Sequence, residues 1–293
     1  MRTLAGPHKA RPSGAKGQCF IGTFTPTAEA KALSGSLVFE KPSRVVARFS
    51  VGSGNPKVMD GNKAVNRGFA FRLDDGGKGQ TEFVMINAPV NFAKSPDQMM
   101  AFLQARLPGA DGKADPAKIK AFADANPEST NQGKFLASRP VVGSWVGVNY
   151  YGIHPYALVK ADGTKQTVKF QMVPTAGEIA LTDDEAKAKP ADFLVDELKG
   201  RIEAKSPAGF DMVAISSLPG DEKTNVTEQW ADEDKRPRVK LGTIAITAIE
   251  KNETCDGTIF DPTYLAKGVE GPVKDPLFME RQPSYAISIG QRL

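Results

Sequence analysis

The chain has 293 residues, of which 40% are hydrophobic and 25% are charged, a composition typical of a folded globular protein rather than a disordered one. No apolar run approaches the roughly 18 residues that a membrane span needs, so no transmembrane helix is expected. The net charge of +4 comes from scattered basic residues, which argues against a dedicated nucleic-acid surface but is compatible with an anionic cofactor.

The first third of the chain shows the alternation of antiparallel strands. In the second predicted strand the apolar residues face one side, while Arg48 and Ser50 face the other. A glycine-rich turn, residues 74–79, separates the last two strands of this group. The predicted strands are residues 17–26, 44–51, 69–73 and 82–86.

Helices are predicted next, because Ser95–Asp97 and Asp115–Pro116 are typical helix starts. Thr182 and Glu185 form a capping box, and the helix that they begin is expected to break at Pro190 before it resumes. Strands return in the middle and the second half of the chain. They are predicted at residues 154–161, 167–173, 209–216 and 239–249.

The tail after Cys255 is rich in loops and closes on an apolar-alternating run, residues 285–289. Six to eight strands in hairpin order, without βαβ alternation or an internal repeat, predict an α+β fold. We expect an antiparallel β-barrel with helices added outside it, in a single domain that spans residues 1–293.

The N-terminal stretch, residues 1–17, is basic and has no apolar segment behind it, so it is not an intact secretory signal. As written, the chain is expected in the cytoplasm, and in the periplasm if a signal peptide was removed. The two cysteines, Cys19 and Cys255, have neither a metal-site spacing nor a CxxC arrangement. Two buried thiols are the favoured interpretation, because a disulfide between them requires an oxidising compartment.

Several common functional motifs are missing. No phosphate-binding glycine motif occurs, so nucleotide binding has no support. The chain has only two histidines, His8 and His154, so the sequence gives little support for a histidine-rich zinc site or a Ser-His-Asp triad. The spacing of the acidic residues singles out no glycosidase pair. Pattern alone therefore leads no further than a β-rich globular domain.

Three separated segments lead further. Arg281-Gln-Pro-Ser-Tyr285 has the form RxxxY and is followed seven residues after the tyrosine by Arg292. Residues 44–50 end in Ala-Arg-Phe-Ser, and residues 83–90 read Phe-Val-Met-Ile-Asn-Ala-Pro-Val. Taken in their order along the chain, the three segments resemble the catalase family. The chain as a whole resembles the short, single-domain catalase-related peroxidases. The resemblance implies the catalase type of barrel without the C-terminal domains of full-length catalases.

The resemblance also implies a haem site. Tyr285 would be the axial ligand of the haem iron, and Arg281 would contact its phenolate oxygen. Because free tyrosine has a pKa near 10, phenolate ligation at neutral pH needs the iron and an adjacent fixed cation, which arginine supplies without deprotonating. Arg11, Arg48 and Arg292 would surround the two haem propionates.

On the opposite, distal face of the haem, Asn87 would orient peroxide over the iron. Ser50 would correspond to the serine that hydrogen-bonds the distal histidine of the family. The histidine itself is missing, because Gly14 occupies its position in the motif RxxHAKG. Phe102 and His154 are the remaining candidates for residues beside the haem.

These roles imply a haem b peroxidase that acts on hydrogen peroxide or organic hydroperoxides with a small-molecule reductant. Its catalase activity is expected to be impaired, because Gly14 carries no acid–base group. His8 is a competing distal base if the N-terminal segment folds inward. The alternatives are an allene-oxide-synthase-like enzyme acting on lipid hydroperoxides, and a haem-binding protein or engineered distal-pocket variant without native peroxidase turnover. No nucleic-acid partner is expected, and a homo-oligomer is an open possibility.

Overall fold

The computed structural model of the protein describes residues 1–74, 76–77 and 79–292, so the turn predicted at 74–79 lies partly outside the described residues. The strands are β1 (Gly17–Pro26), β2 (Ser43–Val51), β3 (Arg67–Asp74), β4 (Gln80–Ile86), β5 (Val141–Val142), β6 (Tyr150–Tyr151), β7 (Tyr156–Val159), β8 (Lys165–Pro174), β9 (Ala180–Leu181), β10 (Gly209–Ser216), β11 (Arg238–Ile249) and β12 (Val269–Glu270). The helices are α1 (Arg2–Ala5), α2 (Ala28–Leu33), α3 (Pro96–Gln104), α4 (Pro116–Ala125), α5 (Asn131–Ser138), α6 (Asp183–Ala188), α7 (Phe193–Glu203), α8 (Asn252–Asp256), α9 (Pro276–Met279) and α10 (Arg281–Gly290).

Antiparallel pairing joins most of the strands into one sheet. Their order is β10-β11-β1-β2-β3-β4-β6-β8-β7-β12, and a second pairing of β10 with β8 closes the first eight of them into a barrel. The short strands β5 and β9 pair separately. The predicted antiparallel barrel with helices outside it is therefore confirmed. In the described part of the chain, no helix is long and apolar enough to cross a membrane.

Aromatic rings fill the barrel interior, because alternate residues of each strand point inward. Phe49, the central inward residue of β2, stacks on Phe20 with 4.5 Å between ring centroids and contacts Phe69 at 5.0 Å. All three side chains are fully buried. The same alternation turns Arg48 and Ser50 to the outer wall of the barrel, as the sequence predicted.

Small residues on the neighbouring strand leave room for the Ser50 hydroxyl on the outer wall of the barrel. The strand register places Ser50 opposite Gly68 of β3, and Gly68 opposite Ile86 of β4. A β-carbon on Gly68 would lie only 2.5 Å from the hydroxyl oxygen of Ser50, so a larger residue there would displace the hydroxyl. Arg48 likewise has the small Ala70 as its neighbour on β3.

The helix starts found in the sequence are confirmed. Ser95 caps α3 and Asp115 caps α4, each followed by proline in the first turn. The capping box between Thr182 and Glu185 begins α6, and the chain breaks around Pro190 before α7, as predicted.

The last predicted run has a different conformation from the alternating one that its pattern indicates. Residues 285–289 belong to α10, which spans Arg281–Gly290. In a helix, residues four positions apart share a face, so Arg281 lies directly beside Tyr285. The apolar residues of the run are consequently divided between two faces, and Ile287 is 63% exposed.

Cys19 in β1 and Cys255 in α8 form a disulfide, so the interpretation of two buried thiols is wrong. The reason is topological. β11 runs antiparallel to β1, with Ile249 opposite Phe20, and this returns the chain to Cys19 after 236 residues. No local pattern carries that information.

We expect the disulfide to contribute substantially to stability, because it cross-links two distant parts of the chain. The double variant Cys19→Ser/Cys255→Ser should lose about 2–5 kcal/mol in free energy of unfolding. Urea unfolding of the haem-free protein measures the loss, and wild type treated with a thiol reductant under unfolding conditions is the control. Equal unfolding midpoints for the variant and the oxidised wild type would contradict the prediction.

Candidate functional site

A chain of four hydrogen-bonded side chains leads to Tyr285. Oδ2 of Asp275 lies 2.6 Å from Nδ1 of His154. Nε2 of His154 accepts from Nε of Arg281 at 3.2 Å, and Nη1 of Arg281 donates to the hydroxyl oxygen of Tyr285 at 2.9 Å. Because arginine only donates, Nε2 must be the acceptor, and the proton of the neutral ring therefore sits on Nδ1, facing Asp275.

The charges in this chain are set by burial. Burial lowers the pKa of His154 to about 4 and outweighs the hydrogen bond that His154 donates to Asp275, which acts in the other direction, while Arg281 lowers the pKa further. His154 is therefore neutral at physiological pH. Burial also disfavours the charge of Arg281, but the oxygen of Tyr285 overcomes this and raises the pKa of Arg281 above its ordinary value. A permanent cation thus faces the tyrosine oxygen.

Asp275 is the member of this chain that the sequence analysis missed. Its Oδ1 caps α9 by accepting from the backbone N–H groups of Leu277 and Phe278, at 2.9 and 3.2 Å. Its Oδ2 remains available to His154. Asp275 precedes a proline, the helix-start signal that identified α4, so its capping role was detectable although its second role was not.

The face of α10 that carries Tyr285 is incompletely covered. Arg281, Tyr285, Ile289 and Arg292 recur at helical spacing and are each half-buried, and no residue of α10 is fully buried. An amphipathic helix in a finished core normally buries such a stripe completely. This face can therefore accept a further group against it.

Beyond the C-terminal end of α10, Arg11 and Arg292 both donate hydrogen bonds to the turn of residues 255–258. Nη2 of Arg11 donates to the carbonyl oxygens of Cys255 and Thr258, at 2.6 and 3.2 Å. Arg292 donates to the carbonyl oxygens of Asp256 and Thr258, at 3.1 and 3.2 Å. The carboxylate of Asp256 also forms an ion pair with Arg11.

Arg48 is the third arginine of this cluster. Its Nη1 and Nη2 donate to the carbonyl oxygens of Gly14 and Ala15, at 2.8 and 3.2 Å. Its Nε is buried without a hydrogen-bond partner among the described residues and lies 3.7 Å from the carboxylate of Asp256. A buried donor without a partner is costly, and this one would be satisfied by an added anionic oxygen.

The cluster carries more positive than negative charge. Burial and then the proximity of Arg11 lower the pKa of Arg48 to about 9 and that of Arg292 to about 10. Burial also lowers the pKa of Arg11, against the opposing effect of Asp256. Three guanidinium groups therefore surround one carboxylate. A group with two carboxylates, as haem has, fits both the surplus charge and the free Nε of Arg48.

Gly14 lies beside Ser50, as the sequence motif implies. A β-carbon on Gly14 would be 3.1 Å from the hydroxyl oxygen of Ser50. Gly14 has a φ of +65°, in the left-handed region that favours glycine. Within the described part of the chain the hydroxyl of Ser50 has no hydrogen-bond partner, which leaves it available to a water molecule or a ligand.

Among the described residues, Asn87 and Phe102 form no hydrogen bond or ring contact with Gly14 or Ser50. Oδ1 of Asn87 accepts from the backbone N–H of Arg67 at 2.6 Å, and the residue also lines a shallow open cleft. The ring of Phe102 packs against Phe92 and Phe122, with centroid distances of 4.4 and 5.7 Å. These contacts do not test the expected roles of Asn87 and Phe102, which stay predictions.

The imidazole ring of His8 is hydrogen-bonded to backbone groups of Ala10 and Gly54. Nδ1 accepts from the N–H of Ala10 at 3.1 Å, and Nε2 lies 2.7 Å from the carbonyl oxygen of Gly54. Both ring nitrogens are therefore engaged. Arg2 stabilises this conformation by donating to the carbonyl oxygens of His8 and Ala10, at 2.6 and 3.0 Å.

Comparison with known proteins shows that this chain is similar to catalases and catalase-related peroxidases. A family model of catalases matches residues 9–293. A catalase-related peroxidase of Synechococcus elongatus is 36% identical over 281 residues, which cover 94% of this chain and 81% of the relative. A catalase-related peroxidase of Mycolicibacterium paratuberculosis is 31% identical over 284 residues, covering 95% and 87%. A catalase of Drosophila melanogaster is 28% identical over 305 residues, covering 95% of this chain but 58% of its own length.

Solved structures show the same fold. A fungal catalase superposes with a TM-score of 0.85 at 20% identity, over 97% of this chain and 60% of its own. Catalase A from Saccharomyces cerevisiae superposes with a TM-score of 0.85 at 21% identity, over 97% and 61%. At this level of identity the likeness concerns the fold alone.

The neutral state of His154 makes stability depend on pH. An unfolded histidine titrates near pH 6.5 and folded His154 near 4, so the unfolded chain binds more protons between these values. The resulting stability is fully present above pH 6.5 and is lost as the pH falls towards 4, on the order of 3 kcal/mol. His154→Gln should remove this part of the pH dependence, measured by urea unfolding of haem-free protein above and below the window.

The matched control is His8→Gln, which removes the only other histidine, a residue that is not fully buried. This variant should keep the pH dependence of wild type. The same pH dependence in wild type and His154→Gln would refute the assignment of a buried, neutral His154.

Proposed function

The chain belongs to the catalase family, and from this membership we propose that it is a haem-dependent peroxidase acting on hydrogen peroxide or organic hydroperoxides with a small-molecule reductant. The family implies a haem cofactor, and we propose haem b. One observation carries the proposal. The hydrogen-bonded chain from Asp275 through His154 and Arg281 holds a permanent cation against the oxygen of Tyr285.

The residues that would hold the haem are Tyr285, as ligand to the iron, and Arg11, Arg48 and Arg292, around the propionates. Nε of Arg48 has no hydrogen-bond partner among the described residues, and this, with the surplus charge of the arginine cluster, supports the assignment. When bound, haem supplies an iron centre that a peroxide can oxidise and a reductant can return to its resting state.

The protein's own contribution on the Tyr285 side is electrostatic. Arg281 stays charged and donates to the oxygen of Tyr285 at 2.9 Å, so a cation faces the atom that would ligate the iron. His154 accepts from Arg281 on one nitrogen, while Asp275 holds the proton on the other. This arrangement fixes the orientation of the Arg281 guanidinium, and because His154 is neutral, no second positive charge is placed beside it.

On the opposite side, the residues supply polarity but no acid–base group. Gly14 has no side chain that can move a proton between the oxygens of a peroxide. The Ser50 hydroxyl can bind a water molecule or a peroxide oxygen, but it is a poor base at neutral pH. Since a positioned acid–base group is typically worth about 10²–10⁴-fold in rate, we propose that hydrogen peroxide turnover by this protein is weak.

We also propose an oxidising compartment such as the periplasm. The disulfide between Cys19 and Cys255 supports this, because disulfides persist where cellular thiol systems do not keep cysteines reduced.

Tyr285→Phe tests the ligand assignment. Removing the phenolic oxygen should abolish or greatly weaken haem loading and change the absorption spectrum of any haem that remains, because phenylalanine cannot ligate iron. The control is Tyr264→Phe, which removes the hydroxyl of a tyrosine that is 55% exposed. Unchanged haem content and spectrum in Tyr285→Phe would show that another residue is the ligand.

Gly14→His tests the distal assignment. A side chain there adopts a left-handed φ, at a cost of about 1–2 kcal/mol, and requires the Ser50 hydroxyl to shift by a few tenths of an ångström. If the fold accommodates it, peroxide consumption per haem should rise by about 10²–10⁴-fold. Gly14→Ala, with the same backbone cost but no imidazole, is the matched control.

Added imidazole should partly rescue wild type, because it supplies the acid–base group that Gly14 lacks. Hydrogen peroxide and an organic hydroperoxide are assayed in parallel. If neither Gly14→His nor imidazole increases turnover of either substrate, Gly14 does not occupy the distal position.

A further inference from the structure

The turn that follows β11 is the element to which the arginine cluster is tied. Carbonyl oxygens of Cys255, Asp256 and Thr258 accept from Arg11 and Arg292. The carboxylate of Asp256 forms an ion pair with Arg11 and lies 3.7 Å from Nε of Arg48. One short segment therefore contacts all three arginines.

This segment is anchored to the barrel wall at two points. Cys255 is covalently joined to Cys19 of β1, and the backbone N–H of Cys19 donates to Oδ1 of Asn252 at 2.8 Å. Asp256 directly follows the disulfide. Its backbone is thus held in place, although α8 has only five residues and would be unstable in isolation.

The side chains of Arg11 and Arg48 are 15% and 6% exposed, and that of Asp256 is 50% exposed. An ion pair with both partners in water is worth little, whereas here the guanidinium groups are the enclosed partners. Two propionates and Asp256 provide three negative charges for the three arginines. Without Asp256, one positive charge would remain uncompensated beside the cofactor.

We propose that Asp256, anchored by the Cys19–Cys255 disulfide, is a positioning residue of the haem site, which orients Arg11 and Arg48 towards the propionates and completes the charge balance. This inference rests on the proposed haem function. It makes two predictions for a variant that lacks the charge. Haem is held less tightly, because Arg11 loses its charged partner. The ferrous state is favoured over the ferric state, because a net positive charge near the iron opposes its higher charge.

The experiment uses haem-loaded Asp256→Asn and measures two quantities. The first is the rate at which haem transfers to excess apomyoglobin, which should be about two- to fivefold faster than in wild type. The second is the midpoint potential of the ferric/ferrous couple in a dithionite titration, which should shift upward. A purely structural defect would change the first quantity without this shift.

Two matched variants accompany it. Glu253→Gln neutralises an exposed carboxylate on the same helix and should match wild type in both measurements. Asp256→Glu keeps the charge and should restore the midpoint potential and part of the haem retention.

The anchoring step is tested with Cys19→Ser/Cys255→Ser. This protein should lose haem faster than wild type, and adding Asp256→Asn to it should have little further effect, because both changes act through the same contact. Fully multiplicative effects would show that the disulfide does not act through Asp256.

If Asp256→Asn matches Glu253→Gln in haem transfer and midpoint potential, the inference is wrong while the haem function stands. If wild type takes up no haem, or Tyr285→Phe leaves its spectrum unchanged, the haem function and its ligand fail first, and the inference fails with them.

Discussion

The guanidinium of Arg281 has to stay charged in a largely enclosed position, and much of the site is arranged around that constraint. An uncompensated buried charge is strongly unfavourable, so every group in contact with it must be an acceptor. Tyr285 and His154 are both acceptors, and His154 is kept so because Asp275 holds its proton on the far nitrogen. The result is a tyrosine oxygen with a cation permanently aimed at it, which is the electrostatic condition for a phenolate ligand.

The arginine cluster beyond the C-terminal end of α10 differs from this site, because its positive charge is only partly compensated by the protein. There, cations outnumber the protein's own anions, and burial followed by the proximity of Arg11 lowers the pKa values of Arg48 and Arg292. Backbone carbonyl groups supply part of the compensation, and Asp256 supplies one full charge. α10 thus carries Tyr285 near its middle, and the arginine cluster with its surplus of positive charge lies just beyond the C-terminal end of the helix. A flat dianionic cofactor with a central metal matches both.

The proposed distal side is formed around Gly14 and Ser50. Gly14 lies beside Ser50, where the family motif has histidine, but its left-handed φ belongs to glycine. Both ring nitrogens of His8 are hydrogen-bonded to backbone groups, which argues against His8 as the distal base. On the proposed assignment, the chain would keep the residues that hold haem but lack the distal acid–base group.

Local patterns in the sequence determined the features that depend on neighbours within a strand or a helical turn. Alternation in β2 placed Arg48 and Ser50 on one face, helix caps located α3, α4 and α6, and the four-residue spacing of Arg281 and Tyr285 becomes direct contact in a helix. Resemblance to a family added the expected roles of the arginines, which the structure brings into one cluster. The roles themselves remain predictions.

Only the tertiary structure decided which distant residues meet. Asp275 reaches His154 across 121 positions, and Cys255 reaches Cys19 across 236, because closure of the barrel brings the end of the chain back against its beginning. The helical state of residues 285–289 was likewise not predicted from the sequence, since their alternation alone indicates an extended run. Local sequence encodes periodicity, whereas contacts of this range arise from strand order and register, and neither can be read from the spacing of the residues concerned.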